Sequence, residues 1–204
     1  MPRNKELNEK VKEERRQQIL SVALRLFAQR GLAATKITDI AQATEISQGL
    51  MYHYYRSKEE IYVELIQSAF ERMNGACRWL ESKPWPPQQK ITFAITELLK
   101  LLEKQDDASR YHLLIAQATA SDATPEEVKQ IIAKENAFPY ESIARIMAEG
   151  QQAGTIKAYD PMELALAFWG SINGLAIYKA VHGAKFKAPD PRILWSMFIK
   201  EPSC

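Results

Sequence analysis

Cysteine is nearly absent from the 204-residue chain: only Cys77 and Cys204 occur. Two thiols cannot build a disulfide framework or a four-ligand zinc site, so no metal is expected. Histidine is scarce as well, with three residues, His53, His112 and His182. HExxH, GxSxG and a glycine-rich phosphate loop are all missing, which argues against an enzyme and against a bound cofactor. The longest apolar run is the six residues from Leu164 to Trp169, against roughly 20 for a membrane span. No apolar segment follows the charged N-terminal residues, so neither a membrane partner nor a secretory signal is expected. Strand-like alternation is almost missing. These absences together predict a cytoplasmic protein from a reducing compartment.

What is present is apolar and helical. Hydrophobic residues make up 46% of the chain and charged ones 25%, enough for a sizeable core in one domain or two small ones, and unlike a disordered chain. The net charge of +2 is unevenly divided. Residues 1–60 hold 11 Lys and Arg against 8 Asp and Glu, whereas the remainder holds 16 against 17. A polyanion, if one is met, is met by the N-terminal end.

Ile19, Ala23, Leu26 and Phe27 recur at helical spacing in a segment from about Glu14 to Arg30, with Gly31 as its stop. Ile37, Ile40 and Ala41 share a face of a short second helix. Ser47 can cap a third, through about Tyr54. Ser57 with Glu60 reads as a capping box opening a long fourth helix to about Leu80. Pro84-Trp85-Pro86-Pro87 marks a joint. Beyond it, Ile91, Ile95, Leu98, Leu99 and Leu102 form a stripe, and a further helix is expected over Ser109–Ala120. Thr124-Pro125-Glu126-Glu127 looks like a capped helix start, with a kink expected near Pro139 and a stop at Gly154. Asp160-Pro161 opens a helix to about His182, and Pro191 opens the last. The fold class is therefore all-α, with a small N-terminal unit and a larger C-terminal one.

Ile37 to Lys58 is the informative stretch. Two short helices across a three-residue turn make a helix-turn-helix if small and apolar residues fall at the crossing. Ala41, Ile46, Met51 and Tyr55 meet that requirement. Gln48, Gly49, Tyr52 and His53 then face outward. Aromatic and imidazole groups on a solvent-facing helix side call for a partner, and a DNA major groove accepts a helix of two turns. Gln48 suits adenine, Gly49 allows close approach, and Tyr52, His53 and Tyr54 can reach phosphate, sugar or a thymine methyl. Lys58 at the next helix start favours a phosphate. Packing of these tyrosines against neighbouring helices is the competing explanation.

The run Ser47-Gln48-Gly49-Leu50-Met51-Tyr52-His53-Tyr54-Tyr55-Arg56-Ser57-Lys58 resembles the TetR family of bacterial repressors. It is preceded by Thr35, Ile40 and Ala41 at that family's spacing, and by Leu26-Phe27 before Gly31. The resemblance is specific over roughly residues 14–62 and architectural beyond. It implies a three-helix DNA-binding unit, here residues 1–56 with a flexible N-terminal arm, and a helical effector-binding and dimerisation unit, residues 57–204. It also implies a ligand-responsive regulator, most simply a repressor. Such a regulator binds a palindromic double-stranded DNA operator as a homodimer and leaves it when an effector binds. Lys36, Thr38, Ser47, Gln48, Gly49, Leu50, Tyr52, His53, Tyr54 and Lys58 fall where that family touches DNA.

Three residues depart from the family pattern. Gln48 stands where lysine is common, Leu50 where a hydroxyl is usual, and Glu45 where the turn usually has glycine. A left-handed Glu45 costs about 1 kcal/mol. Arg3 and Lys5 offer a minor-groove arm, although a frayed extension of the first helix is the simpler expectation. For dimerisation, Ala167, Gly170, Ser171 and Gly174 make a narrow strip, to which Phe168, Trp169, Leu175, Trp195 and Phe198 add apolar area. Trp79, Phe93, Tyr111, His112, Phe138, Tyr140, Met147, Trp169 and Asn173 are candidates for an effector pocket, with core packing as the plainer role of each. Their aromatic character suits a hydrophobic or planar small molecule. A helical protein–protein interaction module without DNA binding is the rival reading. It leaves the polar-aromatic face of residues 48–54 without a purpose.

Overall fold

The computed structural model describes residues 2–201, with the side chains of residues 2–6 and 8 outside the description. Ten α-helices follow one another: α1 (Pro2–Ala34), α2 (Ile37–Ala43), α3 (Gln48–Tyr54), α4 (Lys58–Glu81), α5 (Pro87–Lys104), α6 (Asp106–Ala120), α7 (Glu126–Glu135), α8 (Ala137–Gln152), α9 (Pro161–His182) and α10 (Pro191–Phe198). Extended pairing among the described residues is limited to one antiparallel bridge, Ile156 to Ile199.

Gly31 interrupts α1 where the sequence places its stop, at φ 76 and ψ 166, a backbone region open to glycine alone. The N-terminal residues continue α1, the simpler of the two expectations for them; the side chains of Arg3 and Lys5 lie outside the described residues. The helix start at Thr124 is also corrected. The Thr124 hydroxyl donates to the Ala118 carbonyl at 2.9 Å and is buried there, so it closes the end of α6 and does not cap α7. The break expected near Pro139 falls at Asn136; Pro139 sits in the first turn of α8, where its missing N–H has no intrahelical acceptor to lose.

Two cores organise the packing. The first gathers Phe27, Ile40, Met51, Tyr55, Ile61, Leu65 and Phe70 from α1–α4 and extends to Leu114 and Ala118 of α6 and Val128 of α7. The second joins the C-terminal half of α4 to α5, α8, α9 and α10 through Ile91, Ile95, Met147, Phe168, Trp169 and Phe198. Helix α6 thus touches the N-terminal core on one side and α9 on the other. Gly150 of α8 is required by close approach: a Cβ there would stand 2.4 Å from Ile156 Cδ1.

Helix α9 and its extension, 25 residues from Pro161 to Lys185, are by length and composition alone long and apolar enough to cross a membrane. The run of six apolar residues did not reveal this, because scattered Gly, Ser and Asn break the run without making the helix polar. One side of α9 is buried against the second core and α6. The Lys179 ammonium on that side sits 3.1 Å from Asp106 Oδ1 at the start of α6.

Candidate functional site

Helix α3 is short, so its orientation comes from its neighbours. Ser47 caps it, its hydroxyl oxygen accepting from Leu50 N at 3.2 Å. Met51 is fully buried and Tyr55 nearly so. The Tyr55 hydroxyl donates to Glu64 Oε2 at 3.0 Å, and Arg16 Nη2 lies 2.8 Å from the other carboxylate oxygen. This triad ties α1, the end of α3 and α4 together. Burial, and then the Glu64 charge, push the Tyr55 hydroxyl well above the usual phenol range, so it remains a donor. The turn before α3 has the predicted strain: Glu45 is the one non-glycine residue at positive φ among those described, at 57°.

With Met51 and Tyr55 inside, Gln48, Gly49, Leu50, Tyr52 and His53 are exposed; Tyr52 is 48% and Leu50 41% open. Lys36 and Thr38 are exposed at the start of α2, where Asp39 Oδ2 accepts from the Lys36 backbone N–H at 3.0 Å. Two other expectations change. Tyr54 is half-buried and packs on the first core. Lys58 points inward: its Nζ donates to the carbonyls of Leu32 at 2.7 Å, Ala33 at 3.3 Å and Thr35 at 2.8 Å. Because α1 ends at Ala34, the carbonyls of its last turn lack i+4 donors, Leu32 O accepting only a longer bond from Thr35 N at 3.4 Å, and the ammonium serves them and the negative helix end together. The phosphate expected for Lys58 is thus replaced by the end of α1.

A cavity of about 490 Å³ opens among α4, α5 and α6, with Phe168 and Trp169 of α9 in its wall. Trp79, Phe93, Tyr111, His112 and Trp169, all among the effector-pocket candidates, stand in its wall. Trp79 and Phe93 stack at 5.6 Å, with Trp85 beside both. Tyr140 and Asn173 line a smaller neighbouring cavity of about 270 Å³. Met147 and Phe138 line neither. Met147 is fully buried core, and the Phe138 ring lies between Arg78 and Arg145, 4.8 and 5.7 Å from their guanidinium carbons. Sequence reasoning missed Arg72, whose guanidinium lies 5.2 Å over the Tyr111 ring in the cavity wall. It also missed Met73 and Cys77; burial pushes the Cys77 thiol up to about 11, which keeps it an uncharged wall group.

The third surface lies on α9 and α10. Gly170 and Gly174 are exposed and Ala167, Ser171 and Trp195 half-buried. Phe198, together with Phe168 and Trp169, is corrected: each is buried within its own chain, Phe198 and Phe168 at 1% exposure, and none is free to meet a partner. The exposed apolar residues are instead Met162, Leu166, Ile177, Tyr178 and Val181 on α9, with Ile193 and Met197 on α10. Their spacing of three and four was available in the sequence; choosing the bulkiest aromatics instead selected the buried side.

A helix-turn-helix with an exposed recognition surface, joined to a helical unit that encloses a cavity, defines a DNA-binding transcriptional regulator. The model of the family described as bacterial regulatory proteins, tetR family, matches residues 19–65. The transcriptional repressor KstR2 of Rhodococcus jostii is 28% identical over 163 residues, 76% of this chain and 74% of that protein. KstR2 of Mycobacterium tuberculosis is 45% identical over 77 residues, 38% of each chain. Its structure, described as a ketosteroid transcriptional regulator, superposes with a TM-score of 0.74 at 21% identity, covering 92% of this chain and 96% of that one. The MbdR regulator from Azoarcus sp. CIB superposes with a TM-score of 0.78 at 21% identity, covering 90% and 96%. Residues 19–65 thus carry the DNA-binding unit of that family, and the chain as a whole is similar to DNA-binding transcriptional regulators.

Proposed function

We propose that the protein is a cytoplasmic repressor that binds a palindromic operator as a homodimer and releases it when a small hydrophobic or aromatic effector enters the α4–α6 cavity. Residues 1–56 supply the DNA-binding unit and residues 57–204 the effector and dimer unit. The observation that carries the reading is the outward face of α3: Gln48, Gly49, Leu50, Tyr52 and His53 are all exposed although Met51 and Tyr55 of the same helix are buried. Gln48 pairs its amide with adenine, Leu50 contacts a thymine methyl, and Tyr52 and His53 reach phosphate or sugar. Lys36 and Thr38 hold the backbone beside them. Lys58 acts from behind, by securing the end of α1. The size and apolar lining of the cavity support the effector role, as does the description of the KstR2 neighbour as a ketosteroid regulator. The effector shifts the dimer only by binding the non-operator conformer more tightly.

A mobility-shift titration on the DNA upstream of the protein's own gene tests this. Binding is expected to weaken steeply as salt rises. Tyr52→Ala and Gln48→Ala should each cost about tenfold in affinity with the helical content and dimer unchanged. Unaltered affinity in both variants would remove α3 from the interface.

A further inference from the structure

The large cavity does not end blindly. Met73, His112, Ile115 and Trp169 stand in its wall and also in the wall of the 270 Å³ cavity, so the two spaces share one partition. Their chemistry differs. The large space is chiefly apolar, with Arg72, Glu97 and Asp107 in its wall. The small one contains no formally charged side chain, yet Thr119, Asn136, Tyr140 and Asn173 give it hydrogen-bonding groups. The Thr119 hydroxyl is engaged, donating to the Ile115 carbonyl at 2.8 Å. The Tyr140 hydroxyl and the Asn136 side-chain amide make no hydrogen bond among the described residues.

His112, on the partition, has a defined state. Its Nδ1 lies 2.8 Å from Asn173 Oδ1. An amide oxygen only accepts, so Nδ1 carries the proton and Nε2 of the neutral ring is left as an acceptor. Nε2 has no partner among the described residues. Burial lowers the His112 pKa from its ordinary value, which keeps the ring neutral near pH 7.

We propose that the effector site is two-chambered and takes an uncharged amphipathic molecule, its ring- or chain-like body in the large cavity and a hydroxyl end that passes the partition and donates to His112 Nε2. Asn173 is a positioning residue that holds His112 in the accepting tautomer. An ionised end is disfavoured because the small chamber offers no counter-charge, and burying an unpaired charge costs far more than burying a hydroxyl that finds an acceptor. This assignment rests on reading the cavity as the effector site.

Three matched probes separate the two ideas: 6-phenylhexan-1-ol, hexylbenzene and 6-phenylhexanoate, titrated into the full-length protein at pH 8 by tryptophan fluorescence. Trp169 stands in both walls and reports any of them. The alcohol is expected to bind about tenfold more tightly than hexylbenzene, and more tightly than the carboxylate. His112→Leu should abolish that advantage, read as the ratio of alcohol to hexylbenzene affinity, with helical circular dichroism checking the fold; His112→Gln, which restores an acceptor, should recover part of it. Imidazole nitrogen shifts should report the Nδ1–H tautomer, and Asn173→Leu should replace it with a mixture. Tighter binding of the carboxylate, or an alcohol advantage that survives His112→Leu, overturns the proposal and leaves the effector cavity standing. Failure of all three probes to bind overturns both.

Discussion

Glu45 shows how much a single backbone angle decides. Its φ of 57° places an ordinary side chain where glycine is at ease, and the turn tolerates it because both flanks are held. Ile46 N donates to the Ala41 carbonyl at 3.1 Å and Ile46 packs on the first core. Glu45→Gly is expected to stabilise the protein by about 1 kcal/mol from relief of that strain, less the entropy that glycine returns to the unfolded chain. Urea unfolding measures it; a destabilised variant would show that the turn is unstrained. His112 gives a pH dependence at the same scale. Its folded pKa lies below the ordinary 6.5 because of burial, so the unfolded chain binds the proton first. Stability then falls as pH drops from about 6.5 toward the folded pKa and flattens below it. His112→Gln should remove that component, seen as a shallower fall in unfolding midpoint between pH 7 and pH 5 than the parent shows.

At the scale of elements, periodicity and capping residues located nearly every helix, and the errors share a cause. Gly31, Ser47, Asp160 and Pro191 act through their own backbone or their immediate neighbours: Asp160 Oδ1, for example, accepts from Met162 N at 2.8 Å and Glu163 N at 3.1 Å. Such local chemistry can be read from a string of residues. Thr124 and Lys58 failed because a tertiary partner outcompetes the local one. Thr124 found the end of α6, and Lys58 reached 26 residues back to Leu32. The same distinction divides the candidate site. The α3 face was legible from Met51 and Tyr55, whereas Phe138 and Phe198 were misjudged because nothing local tells which aromatic on an apolar helix meets a cavity, a core or solvent. Lys58→Met tests the reassignment. Loss of three carbonyl contacts should lower stability by about 1–3 kcal/mol, with DNA affinity falling only as far as the orientation of α1 is disturbed. A variant of parental stability with greatly weakened DNA binding would return Lys58 to the phosphate.

Across the whole molecule, α9 raises the question of what covers its exposed side. A bilayer and a second copy of the chain would both accept Met162, Leu166, Ile177 and Val181. Crossing a bilayer requires the other side of α9 to leave the fold. That side contains Phe168, Trp169 and Ile172 in the second core and the Lys179–Asp106 ion pair, and it also supplies the wall of the cavity. Large aromatic and aliphatic groups torn from such a core cost about 3–5 kcal/mol each, which a helix already half-covered by protein does not recover. A second copy demands no such rearrangement. Gly170 and Gly174 lower the ridge at the middle of the helix, and Ile193 and Met197 of α10 widen the apolar surface. The proposed two-fold pairing would also set two α3 helices as one unit, as a palindrome requires. Leu166→Glu combined with Val181→Glu places carboxylates toward the two ends of the exposed side of α9, where two-fold pairing would bring like charges together. The double variant should sediment as a folded monomer at micromolar concentration, where the proposed homodimer requires the parent to sediment as a dimer. It should also lose most of its operator affinity while its helical circular dichroism stays intact. A double variant that still sediments as a dimer would move the interface elsewhere.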